Sequence, residues 1–243
     1  MEFVYSYAKE YGSKKFNKRN KKMKRKKVKV NAKAKLHAKM KTTKRKIMER
    51  PFDLVIVGYG GQGILSLAEI IANAAFMQGF DVKQTEMHGL AQRFGALQCC
   101  VRFGKKVYSP LVRKGNANLI IALDALEAAR AVLVLNFSSK NKSVVLTDSF
   151  ALHPGPMEET LEIKTLISEM KKNVKSVKVV DASKITERLV GETSMSNIFM
   201  LGYALKNKLL PLKKEIVWKA ITQRLRPEFL EKNKKVFAEA FKL

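Results

Sequence analysis

The sequence predicts an α/β fold: a mainly parallel, Rossmann-like sheet with an antiparallel hairpin and a helical C-terminal part. Two observations predict it. From residue 52 onward, apolar runs of strand length alternate with segments of helical period, the pattern of a parallel sheet with helical crossovers. The first apolar run leads straight into Gly58-Tyr59-Gly60-Gly61-Gln62-Gly63, a G-x-G-x-x-G spacing between a strand and a helix.

The first strand covers 52–58, with Leu54 to Val57 suited to a central parallel position. Ile64, Leu65, Ala68, Ile71, Ala72, Ala75 and Phe76 recur at helical spacing, so one buried helix face is expected over 61–79, ended by Gly79. Residues 80–87 read as the second strand, and His88 to Gly95 as a polar, glycine-flanked connection. Residues 96–103 and 106–108 read as the two strands of a hairpin turning at Gly104-Lys105. Another apolar strand is expected over 117–123, a helix to about 135 and a strand over 143–147. After the break His153-Pro154-Gly155-Pro156, the pattern gives a helix near 159–173 and a strand over 177–181. Helical segments near 183–190, 195–208, 213–225 and 228–242 close the chain.

Charge divides the 243 residues in two. The chain carries a formal net charge of +27, of which residues 1–50, with 20 Lys/Arg against Glu2, Glu10 and Glu49, hold +17. Runs such as Lys21-Lys22-Met23-Lys24-Arg25-Lys26-Lys27 repel one another and offer little to bury, so residues 1–47 are expected to be disordered in isolation. Such a tail can neutralise phosphates, but nothing in it reads bases. It also resembles translated non-coding sequence, with the true start at Met48 or Met40. Residues 48–243 suit a single domain.

Cys99 and Cys100 are adjacent in a strand pattern, so they point to opposite faces and are poorly placed to pair. No CxxC occurs, and His37, His88 and His153 are scattered, so no metal site is expected on this chain. The N-terminus lacks an apolar signal region, and the longest apolar stretch, 118–137, is interrupted by Asp124, Glu127 and Arg130. A cytoplasmic protein with no membrane span is therefore expected.

Chemistry concentrates in two segments. The glycine run (Gly58, Gly60, Gly61, Gln62, Gly63) allows close backbone approach and points a helix N-terminus at a phosphate, carboxylate or carbonyl oxygen. Glu86, His88, Gln92 and Arg93 follow the second strand at its carboxyl end, on the same edge as the glycine run, where ligands bind in open α/β sheets. Arg93 can clamp an anion with two hydrogen bonds. Glu86 also stands roughly where a dinucleotide fold keeps its ribose-binding acid, so a stand-alone NAD(P)- or flavin-binding protein is the alternative reading. Asp124, Glu127 and Arg130 read as helix-start acids and an ordinary helical ion pair. In Ser194-Met195-Ser196-Asn197, a serine caps the following helix or the polar group faces the glycine loop.

These residues together resemble the gamma domain of the 2-oxoacid:ferredoxin oxidoreductases, most nearly the small, beta-type subunit of the indolepyruvate branch. The stretches that carry the resemblance are 57–63, 86–93, Val101-Arg102-Phe103-Gly104 with Tyr108-Ser109-Pro110-Leu111, and Leu123 to Arg130, with weaker echoes at Asn197, Leu201-Gly202 and 233–237. It covers about 52–242. The family usually has Gly where Phe94 stands, and the basic tail has no counterpart.

The resemblance implies a non-catalytic subunit. A large alpha subunit holds thiamine diphosphate and iron–sulfur clusters, two copies of each chain assemble, and ferredoxin takes the electrons. Coenzyme A is the co-substrate, and an arylpyruvate such as indolepyruvate is converted with it to acyl-CoA and CO2. It also implies that Gly58, Gly60, Gly61, Gln62, Gly63, Glu86, His88, Gln92, Arg93, Ser196 and Asn197 line a ligand site or the subunit junction.

Deleting residues 1–47 is expected to leave the melting temperature unchanged, because the tail has no apolar face to dock. A drop of several degrees in the chain starting at Met48 would show that the tail packs.

Overall fold

A computed structural model describes residues 50–88, 95–151 and 162–243. The tail, residues 89–94 (with Gln92 and Arg93) and the 153–156 break lie outside the described residues. Six strands form one sheet in the order β2-β3-β1-β4-β5-β6: β1 Phe52–Tyr59, β2 Asp81–His88, β3 Ala96–Gly104, β4 Leu119–Ala122, β5 Val144–Asp148 and β6 Ser176–Val180. β1, β4, β5 and β6 run parallel, while β3 is antiparallel to both β1 and β2. The sheet is thus mixed at one side and parallel at the other, as the α/β reading expects.

β1 is parallel only toward β4. Its other neighbour is β3, antiparallel over the full length from Phe52↔Phe103 to Tyr59↔Ala96. The hairpin is placed differently from the sequence expectation. Residues 106–108 form no strand. The antiparallel partner that precedes β3 is β2, so the reversal lies before β3 and not at Gly104-Lys105. β1 and β2 occupy both lateral edges of β3, leaving no edge for a following strand. Residues 105–112 cross the face of the sheet instead. The Val107 N–H donates to the Asp81 carboxylate at 2.8 Å, and Arg102 Nη1 donates to the Ser109 carbonyl at 2.9 Å.

The helices divide between the two faces. On one lie α1 (Ile64–Met77), α4 (Ala182–Val190), α5 (Ser196–Lys206), α6 (Lys214–Arg224) and α7 (Pro227–Glu239), around Leu54, Ile56, Cys99, Phe103, Ile121 and Leu146. On the other, α2 (Ala125–Ala129), a π-helical turn (Arg130–Val134) and α3 (Ile163–Asn173) pack with Val55, Val57, Cys100, Ile120 and Val145. Strand side chains alternate between faces, so adjacent residues feed opposite cores. Cys99 and Cys100 do so, both buried. Burial pushes the Cys99 thiol up to about 12 and raises the Cys100 thiol as well.

Two helical expectations change. α1 buries Ile64, Leu67, Ala68, Ile70, Ile71, Ala74 and Ala75, whereas Phe76, read as part of the buried stripe, is exposed. The helix expected to run to 135 is α for five residues and then π, ending before Asn136 at φ 54°. Among the described residues no helix is long and apolar enough to cross a membrane.

α5 and α7 approach closely at Gly202. A Cβ there meets the Ala240 Cβ at 2.7 Å and the Phe237 carbonyl at 3.1 Å. Gly202→Ala is therefore expected to cost about 1–3 kcal/mol by overpacking, read as a lowered melting temperature. An unchanged value would mean that α7 yields freely. Both cysteines are expected to resist a thiol-specific reagent at pH 8 in the native protein and to react on unfolding. The thiolate is the reactive form, and burial withholds it here.

Candidate functional site

The carboxyl ends of β1, β2 and β4 and the amino end of β3 meet at one edge of the sheet. Tyr59 pairs with Ala96, and His88 with Leu97. β1 and β4 are adjacent and parallel, yet their following helices go to opposite faces, α1 to one and α2 to the other. The chain diverges there as at the switch point of an open α/β sheet, the usual ligand crevice of such folds.

In this protein Gln62 fills the gap. Its Oε1 accepts the Tyr59 N–H at 2.8 Å, and its Nε2 donates to the Leu123 carbonyl at 3.1 Å. One carboxamide therefore joins the end of β1 to the residue after β4. Gly58 makes the fold-back possible, because a Cβ there would stand 2.5 Å from Gln62 Oε1 and 2.8 Å from Ile64 Cδ1. The Gly60 N–H donates to the Gly95 carbonyl at 3.1 Å, tying the glycine loop to the amino end of β3.

Gly61 and Gly63 differ in what they require. Gly61 is exposed at φ 97° with nothing within 4 Å of a Cβ, so only its backbone conformation calls for glycine. Gly63 caps α1 at φ 77°, and a Cβ would run into the Asn197 carboxamide. Asn197 Nδ2 donates to the Gly63 carbonyl at 3.2 Å, and Asn197 Oδ1 accepts the Ile198 N–H at 2.7 Å. The polar cluster before α5 thus faces the glycine loop through Asn197. Ser196 is buried, and Met195 occupies the cap position of α5 without a side-chain hydrogen bond. Ser194 donates to Glu192 at 3.2 Å.

His88 and Glu86 stand at the outer rim, both exposed, with His88 Nε2 3.3 Å from Glu86 Oε1. Their strand is separated from β1 by β3, which puts Glu86 about 10 Å from β1 in the sheet direction. A dinucleotide fold needs its ribose-binding acid on the strand beside the glycine loop. The inserted β3 and the Gln62 carboxamide together argue against that mode of binding.

A buried network lies behind the loop that sequence reading treated as ordinary helix chemistry. Asp124 Oδ1 accepts the N–H groups of Leu126 and Glu127 at 2.8 and 3.0 Å, as a helix-start acid does. Glu127 is buried and takes Arg130 Nε and Nη2 at 2.5–3.1 Å. The Tyr59 hydroxyl also bonds Glu127. Burial, reinforced by the charges of Asp124 and Glu127, pushes the Tyr59 phenol up to about 12. Tyr59 occupies a variable position of the glycine spacing, and the signal that could have found it is its parity with Val55 and Val57, which places it on the α2 face.

The family model for pyruvate ferredoxin/flavodoxin oxidoreductase matches residues 53–243. The indolepyruvate oxidoreductase subunit IorB of Archaeoglobus fulgidus is 34% identical over 186 residues, which covers 75% of this chain and 90% of that protein. The pyruvate/ketoisovalerate oxidoreductases common subunit gamma of Pyrococcus furiosus is 27% identical, covering 76% of this chain and 92% of its own length. Among solved structures, pyruvate oxidoreductase subunit PORC of Thermotoga maritima superposes with a TM-score of 0.58 at 18% identity, over 80% of this chain and 97% of that one. A 2-oxoglutarate:ferredoxin oxidoreductase from Magnetococcus marinus superposes at 0.59 with 16% identity, over 79% of this chain and 31% of that longer chain.

The Gly63–Asn197 contact predicts a measurable coupling. Gly63→Ala is expected to destabilise through both its positive φ, about 1 kcal/mol or more, and the displaced carboxamide. In an Asn197→Ala background only the backbone component remains, so the second cost is smaller. Denaturant titration of the four proteins measures this, and additive costs would mean that Asn197 moves aside freely.

Proposed function

The chain belongs to the pyruvate ferredoxin/flavodoxin oxidoreductase family, and from that premise we propose that it is the small subunit of a cytoplasmic 2-oxoacid:ferredoxin oxidoreductase of the indolepyruvate type, joined to a larger subunit. The observation that carries the reading is the extent of the similarity to IorB proteins. It covers 75% of this chain and 90% of the Archaeoglobus subunit, so it is not confined to the glycine motif.

In this reading the assembled enzyme converts a 2-oxoacid and CoA to acyl-CoA and CO2 and passes two electrons to ferredoxin. Thiamine diphosphate, bound by the larger subunit, supplies the carbanion chemistry of decarboxylation. The residues here do not fit an iron–sulfur cluster. Cluster ligation needs clustered thiolates, while Cys99 and Cys100 are buried on opposite faces of the sheet and held as thiols. Among the described residues no three His, Cys, Asp or Glu side chains converge. The clusters are therefore assigned to the partner.

The contribution of this chain is positional. The glycine loop and residues 86–95 line the subunit junction, where Arg93 steadies the CoA pyrophosphate or the substrate carboxylate. Gln62, Gly58 and Asn197 hold that loop in shape. The stand-alone nucleotide-binding reading is disfavoured by β3 lying between β1 and β2.

The isolated chain is expected to be inert toward 2-oxoacids and to lack an iron–sulfur absorption band. Turnover without a partner, or such a band, overturns the reading. In the reconstituted complex, Gly61→Val should impair turnover while the subunit stays folded. Arg93→Ala should weaken use of CoA or 2-oxoacid by roughly ten- to a hundredfold, the scale of one charge-assisted hydrogen bond. Wild-type steady-state kinetics in both variants would mean that these loops do not touch the substrates.

A further inference from the structure

β2 is an eight-residue edge strand without proline, and among the described residues nothing pairs with its outer side. Long open edges present a row of free N–H and C=O groups, which soluble proteins ordinarily cover, shorten or distort. Apolar side chains are exposed on both faces of this one. On the α1 face, Phe76 is 69% exposed and, with Val82, Ala72 and Gln84, lines an open groove of about 430 Å³ whose far wall carries the Arg224–Glu69 ion pair.

The opposite face is built by residues 105–112. That segment is fixed along β3 by the Asp81 and Arg102 hydrogen bonds and by the Val112 N–H at the Cys100 sulfur. Arg102 and Cys100 pair with Lys83 and Thr85 of β2, so the segment lies directly beside those side chains. It leaves Tyr108 83% and Leu111 56% exposed, on the face of the sheet that also bears Met87, 46% exposed. The rim on this face is basic: Lys83, Lys105, Lys106, Arg113 and Lys114 are exposed, residues 105–114 contain no acid, and Lys106 Nζ sits 4.9 Å over the Tyr108 ring; the exposed acids Glu69 and Glu86 lie on the α1 face.

We propose that the outer edge of β2 docks an extended apolar segment with acidic flanks, contributed by the larger subunit of the complex. The proposal rests on the two-subunit reading above and adds the surface and its chemistry. The free backbone supplies the pairing, and the Phe76 groove and the Tyr108–Leu111 patch hold alternate side chains of the incoming strand. The rim selects acidic flanks and disfavours a second copy of this chain, because a two-fold axis at β2 would set the same cations against each other. The basic tail is disfavoured on the same ground.

Hydrogen exchange on the full chain, free and in complex with its co-expressed larger subunit, tests this. Amides of 81–88 are expected to gain at least tenfold protection on assembly. Tyr108→Ser with Leu111→Ser should weaken assembly tenfold or more with an unchanged melting temperature. Lys106→Glu with Arg113→Glu should weaken it and flatten its salt dependence. A complex that forms with 81–88 unprotected, or assembly unaffected by both pairs of substitutions, overturns the docking edge and leaves the subunit reading intact. Failure to form any complex overturns both. Protection of 81–88 in the free chain that rises with its own concentration, or that appears only with a DNA duplex, assigns the edge to a second copy or to nucleic acid and overturns the proposal.

Discussion

The Gln62 carboxamide is the interaction on which the candidate site depends. Two parallel strands, β1 and β4, end side by side and send their helices to opposite faces, which leaves backbone groups at the divergence without strand partners. An unpaired buried N–H or C=O costs on the order of 1–3 kcal/mol. Gln62 satisfies one of each, the Tyr59 N–H and the Leu123 carbonyl. The geometry works only because Gly58 leaves room for the side chain. A glycine near the end of a buried strand, weak by propensity, is thereby explained by what folds back on it.

The same contact changes what the glycine loop can do. In a dinucleotide fold the crevice between the diverging strands stays open for a pyrophosphate. Here it is occupied by protein, and the loop is anchored at Gly60 to Gly95 and at Gly63 to Asn197. Gly61 alone is exposed and uncrowded. The loop is thus a rigid projection from the sheet edge. Beneath it, Tyr59, Glu127 and Arg130 close a polar network in which the carboxylate is matched by the guanidinium and the phenol stays neutral.

β3 is the second organising feature. It sits between β1 and β2, reverses the local direction of the sheet and carries Cys99 and Cys100 into separate cores. By filling both of its lateral edges it forces residues 105–112 over the sheet face, where Tyr108 and Leu111 become exposed. It also moves β2 outward to the edge of the sheet, where among the described residues nothing pairs with its outer side. The burial of the two thiols in separate cores, the remoteness of Glu86 from the loop and the place of β2 at the sheet edge follow from this one insertion.

The sequence by itself determined the α/β class, six of the seven strands it predicts, the place of the seven helical segments among the described residues, the turn at Gly58–Gly63 and the acid that starts the helix at Asp124. All of these are local. Hydrophobic period, glycine placement and capping act within one element or its neighbours, so they are visible in a linear string. Tertiary structure decided the rest. The period of α1 gives a stripe that includes Phe76, but which residues of a wide apolar face are covered depends on where α6 and β2 lie, and Phe76 falls outside. Two adjacent apolar runs at 96–103 and 106–108 look like a hairpin until strand order shows that β3 has no free edge. Asn197 reaches Gly63 across 134 residues of chain. Pairing order and long-range polar contacts come from the competition of all segments for the same neighbours, and that competition exists only in the folded chain.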